Sequence, residues 1–228
     1  MRVTGPRRAY HDSPMRVIAV PVKSLERAKG RLSAILQPLE RAALTLAMLE
    51  DVLDACMAQP GWQTWVVSPD EAVLEVSARR RAKPVAEEDP GLLAALHQVE
   101  EEVIGSDALA VVLGDLPLIT PEALASGLRT VGPVVAAPSD SDGGTNVLLR
   151  RPSLSIPARF GTDSFRKHRE AAESHDLPFA EVRVAELAFD LDRPEDIPRL
   201  LTRPGRSRTR SACLEMGLAE RLSVRSRG

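Results

Sequence analysis

Two short apolar runs constrain the fold most. Residues 16–22 (Arg-Val-Ile-Ala-Val-Pro-Val) and 108–113 (Ala-Leu-Ala-Val-Val-Leu) show no alternation of polar and apolar positions. Strands of that kind are buried on both faces, as in a mainly parallel sheet covered by helices on each side. Further strands are expected at 64–67, 134–137, 147–149 and 179–184. Helical spacing lies between them. Residues 39–57 place Leu39, Ala42, Ala43, Leu46, Leu49, Leu53 and Met57 at helical intervals, and Pro60-Gly61 stops that helix. Residues 91–103, 164–174 and 194–201 also read as helices, as do 121–128, with Thr120 as cap and Pro121 in the first turn. Alternating strands and helices predict an α/β fold with a mixed, mostly parallel sheet and helices on both faces. Ligands of such sheets sit beyond the carboxyl ends of the strands, so chemistry is expected in the loops that follow them.

A chain of 228 residues, 43% hydrophobic, holds one such domain with a real core. The expected organisation is a disordered leader over 1–14, a catalytic domain over 15–202, and a solvated Arg-rich tail over 203–228 with room for a short helix near 212–222. Aromatic residues make up only 3%, and the net charge is -2. Base-stacking platforms and a field that attracts DNA or anionic lipid are therefore both lacking, so neither nucleic acid nor a membrane is expected as partner. No apolar run reaches the roughly 18–20 residues needed to span a bilayer, and the first fourteen residues have no hydrophobic centre. A cytoplasmic enzyme is expected, with monomer and homodimer both open. Cys56 and Cys213 are too few for a zinc site or a disulfide framework; Cys56 reads as core.

Four stretches carry candidate chemistry. The loop after the first strand contains Lys23, Arg27, Lys29 and Arg31, including two of only four lysines in the chain. Compact and forked cations suit the phosphates of a nucleotide. Neither a P-loop nor a G-x-G-x-x-G motif is present. Asp115, in Gly-Asp-Leu-Pro, follows a buried strand and suits a hard cation such as Mg²⁺. Asp190 and Asp192 alternate with apolar residues, so an extended segment turns both to one side, where their repulsion calls for a cation. Asp196 falls in the first turn of the next helix, where a negative charge is favoured in any case. Finally, the loops 139–146 and 159–165 bring Thr145, Gly161 and Ser164 within range of a small phosphate at a helix N-terminus, with capping by Thr162 or Asp163 as the plainer reading. His168 lies one turn beyond Ser164, where it either reaches that site or faces solvent. Glu87-Glu88-Asp89 reads as a solvated acidic turn, and Gly91 after it borders a nucleotide cleft.

In order, the stretches VPVKSLERAKGRL, GDLPLIT, SDGGTNVLL, RFGTDSFRKH and FDLDRPEDI resemble the CofC/FbiD family, the guanylyltransferases of deazaflavin coenzyme F-420 biosynthesis. The resemblance implies a GT-A-like nucleotidyltransferase fold, with GTP and a small phosphorylated carboxylic acid as substrates. The first choice of acceptor is phosphoenolpyruvate, with 2-phospho-L-lactate and 3-phosphoglycerate as alternatives. It implies Mg²⁺ on Asp115, Asp190 and Asp192. It implies an acceptor site at Thr145, Gly161 and Ser164, and phosphate contacts by Lys23 and Lys29, with Arg31 and Gly91 on the nucleotide side. Leu93 stands where the family often has Asn, which weakens any assignment of guanine or ribose contacts near Gly91. Two other classes remain open on the residues alone: a phosphatase using the D-x-D carboxylate, and a non-catalytic nucleotide-binding module.

Overall fold

The structure is a computed structural model that describes residues 15–225. The leader expected over 1–14 lies outside the described residues. Seven strands form one sheet: β1 (Arg16–Pro21), β2 (Gln63–Ser68), β3 (Lys83–Ala86), β4 (Ala108–Val112), β5 (Val134–Pro138), β6 (Thr145–Arg150) and β7 (Phe179–Glu181). Their order is β3-β2-β1-β4-β6-β5-β7. β6 runs antiparallel to β4 and β5, and the other pairings are parallel. The start of β6 therefore shares an edge with the ends of the parallel strands.

The helices are α1 (Pro38–Met57), α2 (Glu71–Arg79), α3 (Leu92–Glu102), α4 (Pro121–Arg129), α5 (Ser164–Ser174), α6 (Ala185–Ala188), α7 (Asp196–Thr202), α8 (Arg208–Glu215) and α9 (Leu218–Arg225). Alternate residues of β1 separate the two main cores, as a period of two requires. Ile18 and Val20 pack with Leu49 and Val52 of α1, Val73 of α2 and Leu124 of α4. Val17 and Ala19 pack with Ala95 and Val99 of α3. Leu148 of β6 meets Ala171 and Ala172 of α5 on that second side. Thr120 caps α4 as expected, its hydroxyl accepting the Ala123 N–H at 3.1 Å. No helix of the described residues is long and apolar enough to cross a membrane.

Three expectations need correction. The face read for α1 is only partly right: Leu39 is 84% exposed and Met57 41%, whereas Leu44 and Met48 are fully buried. The helix touches two cores, so its buried arc is wider than one stripe. The sequence reading also omitted α2 and β3. β3 is an edge strand of four residues with only Val85 buried, and Pro84 is tolerated there.

The largest correction concerns residues 203–225, which were expected to form a solvated tail. They fold into α8 and α9 and pack a separate core. Cys213 and Leu218 are buried there against Leu32 and Leu36 of the first loop, Leu44 and Met48 of α1, and Phe189 and Leu191 beside the D-x-D pair. Each Leu fully buried there stabilises by roughly 1.5–3 kcal/mol, enough to hold a short helix against its ordering entropy. Asp51 of α1 fixes the start of α8. Its carboxylate accepts the Arg208 N–H at 2.8 Å, the Thr209 N–H at 3.0 Å and the Thr209 hydroxyl at 2.6 Å.

Candidate active site

The ends of β1 and β4 bring the first basic loop and Asp115 together. Lys29 adopts a left-handed backbone conformation, φ 51°, at the start of a 3-10 turn over Gly30–Leu32. Its ammonium group donates to Asp115 Oδ2 at 2.8 Å and to Asp192 Oδ1 at 2.7 Å. Arg31 lies 3.5 Å from the second Asp192 oxygen. Lys23 is exposed, and its charge reaches Asp192. Three segments far apart in sequence thus meet around Lys29.

The carboxylates differ in their surroundings. Burial pushes Asp190 upward and the nearby Asp115 and Asp192 charges add to this, so that it ends above the ordinary range although Ser139 hydrogen-bonds to it. Ser139 Oγ donates to Asp190 Oδ1 at 2.7 Å, and Ser141 Oγ lies 3.2 Å from both oxygens. For Asp192, burial also pushes upward, but Lys29, Arg31 and Lys23 outweigh it and hold the carboxyl below its usual value. Asp115 Oδ1 is buried without a hydrogen-bond partner. A buried carboxylate oxygen in that condition is costly unless a water or an ion fills it. Among the described residues, no three His, Cys, Asp or Glu side chains are gathered so as to hold a metal ion; Lys29 lies between two of the acids.

The backbone sets this arrangement. The Leu191 N–H donates to the Asp115 carbonyl at 3.2 Å, stitching the D-x-D segment to the loop after β4. Asp196, read only as a helix-dipole residue, shapes that segment by accepting the Asp192 and Arg193 N–H groups at 3.0 and 2.8 Å. Gly114 has a second role besides any ligand approach: a Cβ there would meet Val22 Cγ2 at 3.1 Å.

The residues expected to hold the acceptor come from two places: Thr145 opens β6, whereas Gly161 sits in the loop before α5 and Ser164 opens that helix. The Leu113 N–H donates to the Asn146 carbonyl at 3.0 Å, so segments 113–115 and 144–146 leave the sheet side by side. Thr145 and Ser164 are both buried, with their hydroxyl oxygens 3.2 Å apart. Gly161 is exposed with φ +116°, and nothing lies within 4 Å of the Cβ it lacks. Asp163 at the start of α5 makes no side-chain cap, against the plainer capping reading for that residue. His168 is fully buried, which removes the solvated reading. Gly91 follows the edge strand β3, and its N–H is taken by Glu87, so Glu87 is more than a solvated turn residue. No hydrogen bond among the described residues ties Gly91 to Lys29 or to the carboxylates.

The sequence reading missed Ser139, Ser141 and Asn146. Asn146 Nδ2 donates to the Leu187 and Ala188 carbonyls at 2.9 and 3.1 Å, joining β6 to the segment before Asp190. Short polar residues in a Gly-rich loop gave no signal that would set them apart from turn formers.

A separate groove of about 850 Å³ lies between α1, the 117–121 segment and residues 203–212. None of Asp115, Asp190 or Asp192 lines it.

Residues 15–225 match the family model described as "Guanylyl transferase CofC like". The phosphoenolpyruvate guanylyltransferase of Rubrobacter xylanophilus is 43% identical over 189 residues, covering 79% of this chain and 91% of that protein. The 3-phospho-D-glycerate guanylyltransferase of Phenylobacterium zucineum is 37% identical, covering 80% and 88%. Among solved structures, a protein of Desulfovibrio desulfuricans G20 described as a nucleotide-diphospho-sugar transferase superposes with a TM-score of 0.73 at 19% identity, covering 88% of this chain and 94% of that one. That likeness bears on the fold alone, which is of the GT-A-like nucleotidyltransferase kind. The meeting of a basic loop with carboxylates from two distant segments, on a sheet of that topology, is in keeping with the match over the whole described chain: the protein belongs to the CofC-like guanylyl transferase family.

Proposed function

We propose that the protein transfers GMP from GTP to phosphoenolpyruvate with release of pyrophosphate. The observation that carries this reading is the Lys29 bridge: one ammonium group, 2.8 and 2.7 Å from carboxylates of two distant segments, defines a cleft where cation and acid are already paired. The acceptor's phosphate is itself an anionic nucleophile. It bonds to the α-phosphorus of GTP as the bond to the bridging oxygen breaks, and pyrophosphate leaves with that electron pair. No general base is required, so the work is alignment and charge compensation.

Asp115, Asp190 and Asp192 are the residues that would hold Mg²⁺ in place of the Lys29 ammonium that now joins two of them; hard oxygen donors and the unpartnered Asp115 Oδ1 suit such an ion. An ion held there would supply neutralisation of the charge that gathers as the two anionic substrates meet. Lys29, freed from Asp115 and Asp192 by such an ion, would with Lys23 and Arg31 direct its charge to the leaving phosphates. Thr145 at the start of β6, Gly161 in the loop before α5 and Ser164 at the start of α5 hold the acceptor. Gly91 borders the nucleotide side from the β3 end. The same proposal takes the enzyme to be cytoplasmic.

Pyrophosphate release is the test, measured with GTP, Mg²⁺ and each of phosphoenolpyruvate, 2-phospho-L-lactate and 3-phosphoglycerate. The fastest turnover is expected with phosphoenolpyruvate. Free phosphate in place of pyrophosphate would point to a phosphatase, and no product at all to a binding module. Asp115→Asn is expected to fold and to lose about 10²–10³-fold or more in turnover; near-normal turnover would remove Asp115 from the mechanism.

A further inference from the structure

Beneath the two glycine loops, the hydrogen bonds around Thr145 have a fixed direction. The Arg159 backbone N–H donates to His168 Nε2 at 2.9 Å. That nitrogen therefore carries no proton, and in a neutral ring the proton sits on Nδ1. Burial, with the positive charges of Arg150, Arg159 and Lys167 nearby, pushes His168 down to about 3, so the ring is neutral at working pH. Its Nδ1–H then donates to Thr145 Oγ1 across 3.0 Å. Ser164 Oγ donates to the same oxygen across 3.2 Å. A hydroxyl oxygen has two lone pairs, and both are now filled. Thr145's own proton has no acceptor among the described residues.

We infer that His168 is a positioning residue, which fills the acceptor capacity of Thr145 Oγ1 together with Ser164 and so commits the Thr145 hydroxyl to donating its proton to the anionic acceptor substrate. The inference rests on the acceptor site proposed above. The His168 ring does not touch the substrate. It is held edge-on against Phe160, with ring centroids 5.1 Å apart, and its orientation is fixed before any anion arrives. Ser164 spends its proton on Thr145, so the two hydroxyls are not equivalent: Thr145 donates to the anion and Ser164 supports it.

Two amide substitutions separate this role from a structural one. His168→Asn keeps a donor near the Nδ1 position and loses the acceptor for the Arg159 N–H. His168→Gln keeps an acceptor near Nε2 and loses the donor to Thr145. A structural role favours Gln, and the positioning role favours Asn. With the full chain, saturating GTP and varied phosphoenolpyruvate, the Asn variant is expected to keep an acceptor KM near the wild-type value. The Gln variant is expected to raise it by about tenfold, the scale of one hydrogen bond to a charged group, with the KM for GTP unchanged. In a Thr145→Val background the two variants must give the same acceptor KM. The reverse order, equal values in the wild-type background, or a difference that persists with Thr145→Val overturns the inference. Should the Gln variant fail to fold, the Asn variant is compared with Thr145→Val alone: equal acceptor KM values overturn the inference, and a value near wild type supports it. A wild-type chain that releases no pyrophosphate with any of the three acceptors fails the functional reading and takes this inference with it. Turnover with the wrong variant order fails the inference only.

Discussion

Replacing Lys29 by methionine removes a positive charge from between two carboxylates and keeps a side chain of similar length. Lys29 is 6% exposed, whereas Asp115 and Asp192 are 28% and 33% exposed. Breaking a fully buried pair costs roughly 3–5 kcal/mol. Water screens the partly exposed acids here, so a loss of about 2–3 kcal/mol is expected. The pH dependence follows from the two shifts. Burial lowers Lys29, but Asp115 and Asp192 outweigh it and hold the ammonium above its ordinary value. Its contribution is present below the unfolded value near 10.4 and is lost as pH rises through the higher folded value. Burial raises Asp192, but Lys29, Arg31 and Lys23 outweigh it. That contribution is present above the unfolded value near 3.9 and is lost as pH falls through the lower folded one. The pair therefore acts fully between about pH 4 and pH 10. The stability gap between wild type and variant is therefore expected to be equal at pH 8 and pH 5, and to narrow as pH falls below about 4 and Asp192 loses its contribution. Urea unfolding of both proteins across these pH values measures it. A gap under about 1 kcal/mol, the size of an exposed pair, or a gap that does not narrow below about pH 4, would refute the reasoning.

Asp51→Ala removes the carboxylate that anchors α8, and a loss of about 3 kcal/mol is expected from charge-assisted hydrogen bonds at a helix start. Burial pushes the Cys213 thiol up to about 11 and leaves it unreactive; a thiol reagent should modify it faster in this variant, and unchanged protection would show that α8 is held by other means. Glu100→Ala strands the fully buried Arg150, whose Nη1 donates to Glu100 at 2.6 Å. Chemical denaturation should show a loss of about 3–5 kcal/mol, and adding Arg150→Met should recover much of it.

The sheet and its helical cover were legible because residues 16–22 and 108–113 announce strands buried on both faces, and Thr120-Pro121 announces a helix start. The reversed direction of β6 was not, since an apolar run reads alike both ways. Nor was the fate of the C-terminal segment. Its arginines suggested solvent, while Thr209, Cys213 and Leu218 carry its packing. Asp115, Asp190 and Asp192 were singled out by their positions after apolar segments, and Lys29 does join two of them, Asp115 and Asp192. That Lys29 spans two of them depends on the reach of one side chain across three segments, which spacing in sequence does not encode. Ser139, Ser141 and the direction of the His168 bonds are likewise products of the folded loops.

The small core behind the cleft ties Leu32 and Leu36 to Phe189 and Leu191 through α8 and α9. These apolar residues flank Lys29 on one wall and the D-x-D pair on the other. The spacing of these two walls is thus backed by hydrocarbon behind as well as bridged by the ion pair in front. Chain shortened before α8 would keep its sheet and lose that spacing.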